Sequence, residues 1–252
     1  MIELETRGNV AILRMARGKG NALNLELGQA LLDALDELDR GPARAVVITG
    51  QGSVFGAGVD LPALAAGGTD YARKFVPLMQ RTFERLATYP KPLVAAVNGH
   101  AIAGGAIIML ACDQRIVARG TARIGLTEVL VGVVFPAWPL EIARFATPRE
   151  HFSTLIMTGR TWPPDEALAR GLVDELVAPD ELLDRACEVA AEMGAIPPAV
   201  FSATKMEVRR PLIEAARRQA ELTNEARLAE WSSPETLQYI AEFAAKHIKR
   251  GG

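Results

Sequence analysis

LVAAVNGHAIAGGAIIMLAC, at residues 93–112, contains no Asp, Glu, Lys or Arg and is therefore expected to lie in the interior of the protein. Its first part, LVAAV, is typical of a buried strand, and Asn98-Gly99 is typical of a turn. The apolar run that follows Gly104 predicts a buried helix. The stretch is long enough to cross a bilayer, but the glycines and polar residues in its middle favour a strand, a turn and a helix within a globular core.

The alternation of apolar strands and helices continues on both sides of this stretch. NVAILRM at 9–15 and ARAVVITG at 43–50 predict strands, and leucines at helical spacing predict a helix between them at 25–39. A helix is also predicted at 71–89, and QRIVAR at 114–119 predicts another strand. Strands that alternate with helices along the chain indicate the α/β class.

The C-terminal part of the chain has a different pattern. From Asp165 onward strand patterns mostly disappear, and helices are predicted at 165–170, 179–193, 198–209, 212–231 and 233–249. We therefore predict an α/β core at residues 1–195 and a helical C-terminal region at residues 196–252. An apolar stripe on this region is expected to pack on the core or on a neighbouring subunit.

The composition argues against several classes of protein. The 252 residues include 28 basic and 30 acidic ones, a net charge of −2 that argues against binding to nucleic acid or to a membrane surface. Cys112 and Cys187 lie in apolar sequence, which favours buried thiols over a disulfide, and no Cys/His cluster suggests a metal, so no metal site is predicted. The N-terminal MIELETRGNVAILRM does not resemble a signal peptide, so a cytoplasmic location is predicted.

Two glycine-containing turns lie where a predicted strand gives way to a predicted helix. They are FGAGVDL at 55–61 and NGHAIAGG at 98–105. Small residues let a ligand approach the main chain closely, and the first N–H groups of a helix have no partner within it. Two such donors aimed at one point would form an oxyanion hole. Either turn alone indicates only tight packing, and neither matches a phosphate-binding glycine motif.

Taken in order, these motifs resemble the enoyl-CoA hydratase/isomerase (crotonase) superfamily. Further agreement comes from Asn21-Ala22-Leu23, from GLTE at 125–128 and from LIMTG at 155–159, so that the resemblance covers essentially the whole chain. The resemblance implies a spiral of ββα units and a C-terminal helical region that builds homotrimers or dimers of trimers. It also implies an acyl-CoA substrate, with coenzyme A as part of the substrate and no separate cofactor.

The resemblance also implies roles for individual residues. The N–H groups of Val59 and Gly104 would form the oxyanion hole. The residues implied to bind the coenzyme A part are Ala57, Asp60 and Leu61, with Lys246 as a candidate for the phosphates of an adjacent subunit's substrate and Arg17 and Lys19 as further candidates. Phe135 and Trp138 are predicted to form pocket wall. Asp60 is equally typical of a simple acidic residue in the first turn of a helix.

The candidate general base separates two activities. Hydratases of this family use two glutamates, of which one matches Glu128 and the other falls on Ile107. Water addition needs a water molecule to be held and activated, which an isoleucine does not do. A shift of a double bond from C3 to C2 needs one carboxylate, which takes a proton from C2 and returns it at C4. The sequence around Glu128 and Ile107 is similar to that of the Δ3,Δ2-enoyl-CoA isomerases, so an isomerase is predicted.

Several alternatives stay open at this point. On the same scaffold, the enzyme could be a hydratase, a thioester hydrolase or a decarboxylase. A protein that binds acyl-CoA without turnover is a further alternative. Thr127-Glu128 is also typical of a helix start with a capping residue and a first-turn acid. His100 is predicted to be a hydrogen-bonded turn residue, and Asp113 is predicted to tether the backbone.

Overall fold

The structure, a computed structural model, describes residues 1–247. Its strands are β1 (Ile2–Arg7), β2 (Val10–Met15), β3 (Ala45–Gly50), β4 (Val54–Gly56), β5 (Leu93–Val97), β6 (His100–Ile102), β7 (Gln114–Ala118), β8 (Ile124–Gly125), β9 (Thr161–Trp162) and β10 (Glu175–Val177). Its helices are α1 (Leu25–Arg40), α2 (Leu61–Ala87), α3 (Gly104–Ala111), α4 (Glu128–Val131), α5 (Ala137–Ala146), α6 (Arg149–Thr158), α7 (Pro164–Ala169), α8 (Leu182–Gly194), α9 (Pro198–Trp231) and α10 (Pro234–His247).

The strands form two sheets that the chain visits in turn. The larger sheet has the order β1-β2-β3-β5-β7-β10, in which only the β1–β2 pair is antiparallel. The smaller sheet has the order β4-β6-β8-β9. Each of three successive units places one strand in the larger sheet, the next in the smaller sheet, and then a helix: β3-β4-α2, β5-β6-α3 and β7-β8-α4. The α/β class and the spiral of ββα units are therefore confirmed.

Both faces of the larger sheet are buried, which explains its uninterrupted apolar strands. Side chains alternate between the two faces of a strand, so Val46 and Ile48 of β3 pack with α1, α2 and α3. Val47 of the same strand faces the other way and packs against α8, together with Ile12 of β2. The stretch at 93–112 forms β5, β6 and α3, as predicted except for the short strand β6.

The helix predicted at 71–89 has different bounds in the structure. Helix α2 begins at Leu61, but it consists of two helical segments that meet at a kink at Gly68 (φ 64°), and the predicted helix corresponds to the second segment. The helices predicted at 198–209 and 212–231 are one helix, α9, which continues through Pro211. Proline breaks an isolated helix, but Leu212 and Ala216 are buried against the core and hold this one in place.

The C-terminal helices lie on the core and not apart from it. Helix α9 packs along α5 and α2, and α10 packs along α2. The division of the chain at residue 195 stays a prediction. Both cysteines are unpaired thiols, with Cys112 buried and Cys187 partly buried. Among residues 1–247, no helix combines the length and the apolar character needed to cross a membrane.

Candidate active site

Three parallel strands of the smaller sheet, β4, β6 and β8, end at one cavity. The chain leaves β4 through Val59 into α2, leaves β6 into α3 at Gly104, and leaves β8 into α4 at Glu128. Ligands of α/β proteins commonly bind at the carboxyl ends of parallel strands. The cavity has a volume of about 480 Å³, which is within the range of small-molecule sites.

Most of the residues predicted from the sequence line this cavity. They are Ala57, Val59, Asp60, Leu61, Gly104, Ile107, Glu128 and Phe135. Trp138 is buried and lines a different pocket, beside α2 and α9, so its place in the wall of this cavity is not confirmed. Lys246 is exposed on the last turn of α10 and does not line the cavity, and its role toward a neighbouring subunit stays a prediction.

The two glycine turns contact each other through their glycines. Gly58 has a φ of +88°, and a Cβ atom added to it would lie 2.7 Å from the Cβ of Ala103 and 3.3 Å from the N of Gly104. A Cβ added to Gly105 would overlap the carbonyl of Gly56. Any side chain at these positions would push the turns apart. The glycines are therefore needed to bring the main chain near Val59 close to that of Gly104.

Val59 and Gly104 both carry a free backbone donor. On either side of Val59 the main chain is bound to Leu23, whose N–H donates to Gly58 O (2.7 Å) and whose O accepts from Asp60 N–H (2.9 Å). Within residues 1–247, no group accepts the N–H of Val59 or that of Gly104. Gly104 also begins helix α3, whose dipole favours negative charge at this end. Two free donors of this kind can stabilise an oxygen that gains negative charge.

Glu128 places a carboxyl group in apolar surroundings at the same cavity. Glu128 is only 9% exposed, and its Oε2 has no hydrogen-bond partner among the described residues. Burial raises the pKa of this carboxyl to about 8, although the backbone N–H groups of Thr127 and Glu128 oppose the shift. Ile107 lines the same cavity and is 1% exposed. A carboxyl with a pKa near neutrality can both accept and return a proton.

Asp60 is the other carboxyl group of the cavity wall, and both its oxygens have partners. Oδ1 accepts the N–H of Ala63 (3.0 Å) and so caps helix α2. Oδ2 lies 2.8 Å from Nη2 of Arg17. Asp60 is therefore the N-cap of α2, which lies one residue before the first turn where the alternative placed it, and it lines the cavity as well.

The C-terminal helices supply wall residues that the sequence did not reveal. Trp231 at the end of α9 and Phe243 of α10 line the cavity, and Nε1 of Trp231 donates to Val134 O (2.9 Å). The wall is otherwise largely apolar, with Met79, Phe83, Ile102, Leu130, Val131, Val133, Pro136 and Pro139. No local pattern connects Trp231 or Phe243 with the glycine turns, since only tertiary packing brings them together.

Other polar residues noted in the sequence have structural contacts. Nδ1 of His100 accepts the N–H of Arg123 (3.1 Å). The carboxylate of Asp113 accepts the N–H of Leu93 (2.8 Å) and pairs with Lys205 and Arg209 of α9, each at 2.7 Å. Both side chains bind backbone groups, as predicted, but His100 lies at the start of strand β6 and not in a turn, and neither residue lines the cavity.

Comparison with known proteins agrees with this arrangement. A family model described as enoyl-CoA hydratase/isomerase matches residues 5–239. A putative enoyl-CoA hydratase from Thermus thermophilus is 40% identical over 81% of this chain and 82% of its own. A crystal structure of a probable enoyl-CoA hydratase from Mycobacterium tuberculosis is 34% identical with a TM-score of 0.84, over 91% of this chain and 97% of that chain. The human mitochondrial Δ3,Δ2-enoyl-CoA isomerase is 25% identical with a TM-score of 0.93, over 100% of this chain and 99% of that chain.

Proposed function

The chain belongs to the enoyl-CoA hydratase/isomerase family, and from this membership we propose that it is an isomerase that moves a C3 double bond of an acyl-CoA to C2. The observation that carries the proposal is that Glu128, whose Oε2 has no hydrogen-bond partner among the described residues, shares a cavity with two backbone N–H groups that no described group accepts. Ile107 occupies the position that matches the second glutamate of the hydratases, so the site lacks a second carboxylate there.

The proposed reaction uses these groups in three steps. The thioester carbonyl oxygen accepts hydrogen bonds from the N–H groups of Val59 and Gly104. The carboxylate of Glu128 takes a proton from C2, and the electron pair of the broken bond spreads into the conjugated system as a dienolate. Glu128 then gives the proton back at C4, which leaves the double bond between C2 and C3. The two donors are most useful in the middle step, when negative charge reaches the oxygen.

The apolar wall supports reprotonation over water addition. Ile107 and Phe135 are 1% and 7% exposed and give a water molecule no hydrogen-bonding partner beside the reacting carbons. Glu128 is thus the group available to return the proton. The same burial keeps much of Glu128 protonated near neutral pH, so the reaction draws on the ionised fraction.

A hydratase is the second candidate, and the names of the relatives favour it. The relatives from Thermus thermophilus and Mycobacterium tuberculosis are both called hydratases, whereas the human structure is an isomerase. A hydratase would need a carboxylate other than the one replaced by Ile107. Asp60 is the other carboxyl group of the cavity wall in the described part of the chain, and it is already bound to Ala63 and Arg17.

Product analysis with two substrates tests the proposal. We expect the purified protein to convert a 3-enoyl-CoA into the 2-enoyl-CoA much faster than it hydrates crotonyl-CoA. Formation of 3-hydroxyacyl-CoA from crotonyl-CoA at a comparable rate would favour the hydratase. Tight binding of both thioesters without any product would instead favour a binding protein.

The remaining properties follow from the family and are part of the proposal. Coenzyme A is proposed to enter as part of the substrate, and the chemistry described above needs no separate cofactor or metal. We also propose a cytoplasmic homotrimer or dimer of trimers. Light scattering on the purified protein measures the assembly, since one chain has a mass of 27.1 kDa.

A further inference from the structure

Residues 17–23 hold the turn that carries Val59. Leu23 binds the main chain on both sides of Val59, through Gly58 O at 2.7 Å and Asp60 N at 2.9 Å, and forms an isolated parallel bridge with Val59 itself. The direction of the Val59 N–H therefore depends on where this short segment lies. Val59 itself lies in the connection between β4 and α2, outside both elements.

Arg17 links this segment to Asp60 by its side chain. Its Nη2 lies 2.8 Å from Oδ2 of Asp60, and its Nη1 donates to Ala22 O at 3.0 Å. The two charged side chains are 25% and 16% exposed, so solvent screens this pair less than a fully exposed one. The guanidinium thus fastens the residue after Val59 to the backbone of the supporting segment.

Asn21 fastens the chain before Val59 in the same way. Its Oδ1 accepts the N–H of Arg17 (2.9 Å), and its Nδ2 donates to Val54 O (2.8 Å) in β4. Asn21 is 2% exposed and has a φ of 47°, a conformation that asparagine tolerates better than most residues. One polar network therefore runs from β4, through Asn21 and Arg17, to the cap of α2 at Asp60.

The turn that carries Gly104 is held in a different way. Gly104 is the first residue of α3, a helix whose residues are all buried, and Ala103 N donates to Gly125 O at 2.9 Å. Apolar packing around α3 fixes this donor, whereas Val59 is held by the main chain of Leu23, in a segment that charged and amide side chains fasten in place. Loss of a single polar contact is therefore expected to loosen Val59 and leave Gly104 in place.

We infer that Arg17 is a positioning residue, which acts through Asp60 to hold the Val59 N–H in line with the thioester carbonyl oxygen. This inference rests on the proposed function, because it needs a carbonyl oxygen in the hole. It differs from a role for Arg17 in binding the phosphates of coenzyme A. A phosphate contact would change affinity for the nucleotide end of the substrate, whereas a displaced donor changes the carbonyl itself.

The test compares Arg17→Met with Arg85→Met. Arg17 pairs with the residue that caps the start of α2, and Arg85 makes ion pairs near the end of the same helix. Arg85 pairs with Asp36 and Asp39 at 2.8 Å each, and its side chain is 21% exposed. Infrared difference spectra of a bound, carbonyl-labelled 2-enoyl-CoA measure how strongly the hole polarises the carbonyl. In the parent and in Arg85→Met we expect a stretch well below its value in water.

In Arg17→Met we expect the stretch to move back toward its value in water, with a fall in kcat of about tenfold and little change in KM, because one of two donors is misplaced. Arg17→Lys, which keeps a cation beside Asp60, is expected to recover part of the loss. The same fall in kcat is expected with an acyl-pantetheine thioester, which has no nucleotide. Asp60→Asn, which keeps the cap and removes the charge, should move the stretch in the same direction.

Three outcomes would overturn the inference or its premise, and they are distinguishable. If the parent polarises the carbonyl and Arg17→Met does so equally with an unchanged kcat, Arg17 does not position Val59. If the loss in Arg17→Met disappears with the pantetheine thioester, Arg17 acts on the nucleotide. If the parent itself leaves the carbonyl stretch unshifted, the oxyanion hole of the proposed function fails. Should Arg17→Met fail to fold, Arg17→Lys and Asp60→Asn carry the same measurements.

Discussion

Among residues 1–247, two carboxyl groups line the cavity, and their surroundings are opposite. Glu128 is buried among apolar side chains, and its Oε2 has no partner within residues 1–247. Asp60 has a partner for each oxygen, the N–H of Ala63 and the guanidinium of Arg17. A carboxyl buried in apolar surroundings has a raised pKa and can exchange a proton near neutral pH, whereas a carboxyl with a partner on each oxygen holds the adjacent backbone in place. The same functional group thus has two uses, which its neighbours determine.

The largest difference between the two carboxyls is expected in catalysis. Glu128→Gln removes the proposed base and should lower kcat for a 3-enoyl-CoA by about 10²- to 10⁴-fold. Asp60→Asn keeps the cap and loses only the pairing with Arg17, so we expect a fall of about tenfold. Steady-state rates with a 3-enoyl-CoA measure both effects.

Glu141→Gln is the matched control for this measurement. Glu141 is 8% exposed, close to the 9% of Glu128, but it lies in α5, pairs with Arg144 and does not line the cavity. The kcat of the Glu141→Gln variant should match that of the parent. An unchanged rate in Glu128→Gln would show that Glu128 is not the base. Equal losses of rate in Glu128→Gln and Asp60→Asn would show that the two carboxyls do not differ in their roles.

The two substitutions are expected to change stability in opposite directions. The pKa of Glu128 is raised from 4.5 to about 8 in the folded protein, so between these values the unfolded chain releases a proton that the folded chain retains. The free energy of unfolding therefore falls as the pH rises through this window. Glu128→Gln removes this effect and should stabilise the protein at pH 9 by about 2–4 kcal/mol. At pH 4.5, near the lower end of the window, the gain should nearly vanish.

Asp60→Asn should instead destabilise the protein, by about 1–2 kcal/mol at either pH, because it breaks a charge-assisted contact that is mostly buried. Urea unfolding of the parent and both variants at pH 4.5 and pH 9 measures these differences. A Glu128→Gln variant that is less stable than the parent at pH 9 would show that burial of the ionised carboxyl does not destabilise the folded protein.

Long, buried elements of the fold were predictable from the sequence, and short ones were not. The stretch at 93–112 and helix α1 give clear patterns because many residues share one burial environment. Strands β4, β6, β8 and β9 have two or three residues each, too few for an alternating pattern. The segment of α2 before Gly68 was not predicted, because the backbone is non-helical at this glycine and separates that segment from the longer one after it.

Residues of the site were likewise predictable where they lie in a local sequence motif, and not where only tertiary packing brings them to the cavity. Val59, Gly104 and Glu128 each follow a strand in an ordered motif, and the structure places all three on one cavity. Trp231 and Phe243 line that cavity from helices that are distant in the sequence, and no local motif predicts how those helices pack. The Arg17–Asp60 pair was also hidden, since the sequence offered Arg17 only as a phosphate ligand.

The ionisation of Glu128 should have a smaller effect, which is seen in the pH dependence of kcat/KM. With a pKa of about 8, only a minor part of Glu128 is ionised at pH 7, so kcat/KM should rise by about tenfold between pH 7 and pH 9 and then level off. Asp60→Asn should keep this profile at a lower rate, because Glu128 is unchanged. A flat profile from pH 6 to pH 9 would mean that Glu128 is not the group whose ionisation limits the reaction.

The smallest expected effect concerns the helix starts beside the two carboxyls. Asp60 caps α2 through Ala63, but Thr127, at the start of α4, makes no capping hydrogen bond with its side chain. Thr127→Ala should therefore change the free energy of unfolding by no more than a few tenths of a kcal/mol. Asn24→Ala, which removes the hydrogen bond from Leu27 that caps α1, should cost about 1 kcal/mol in the same urea experiment. A loss in Thr127→Ala as large as that in Asn24→Ala would return Thr127-Glu128 to the role of a helix cap, and would weaken the case that Glu128 is buried for chemistry.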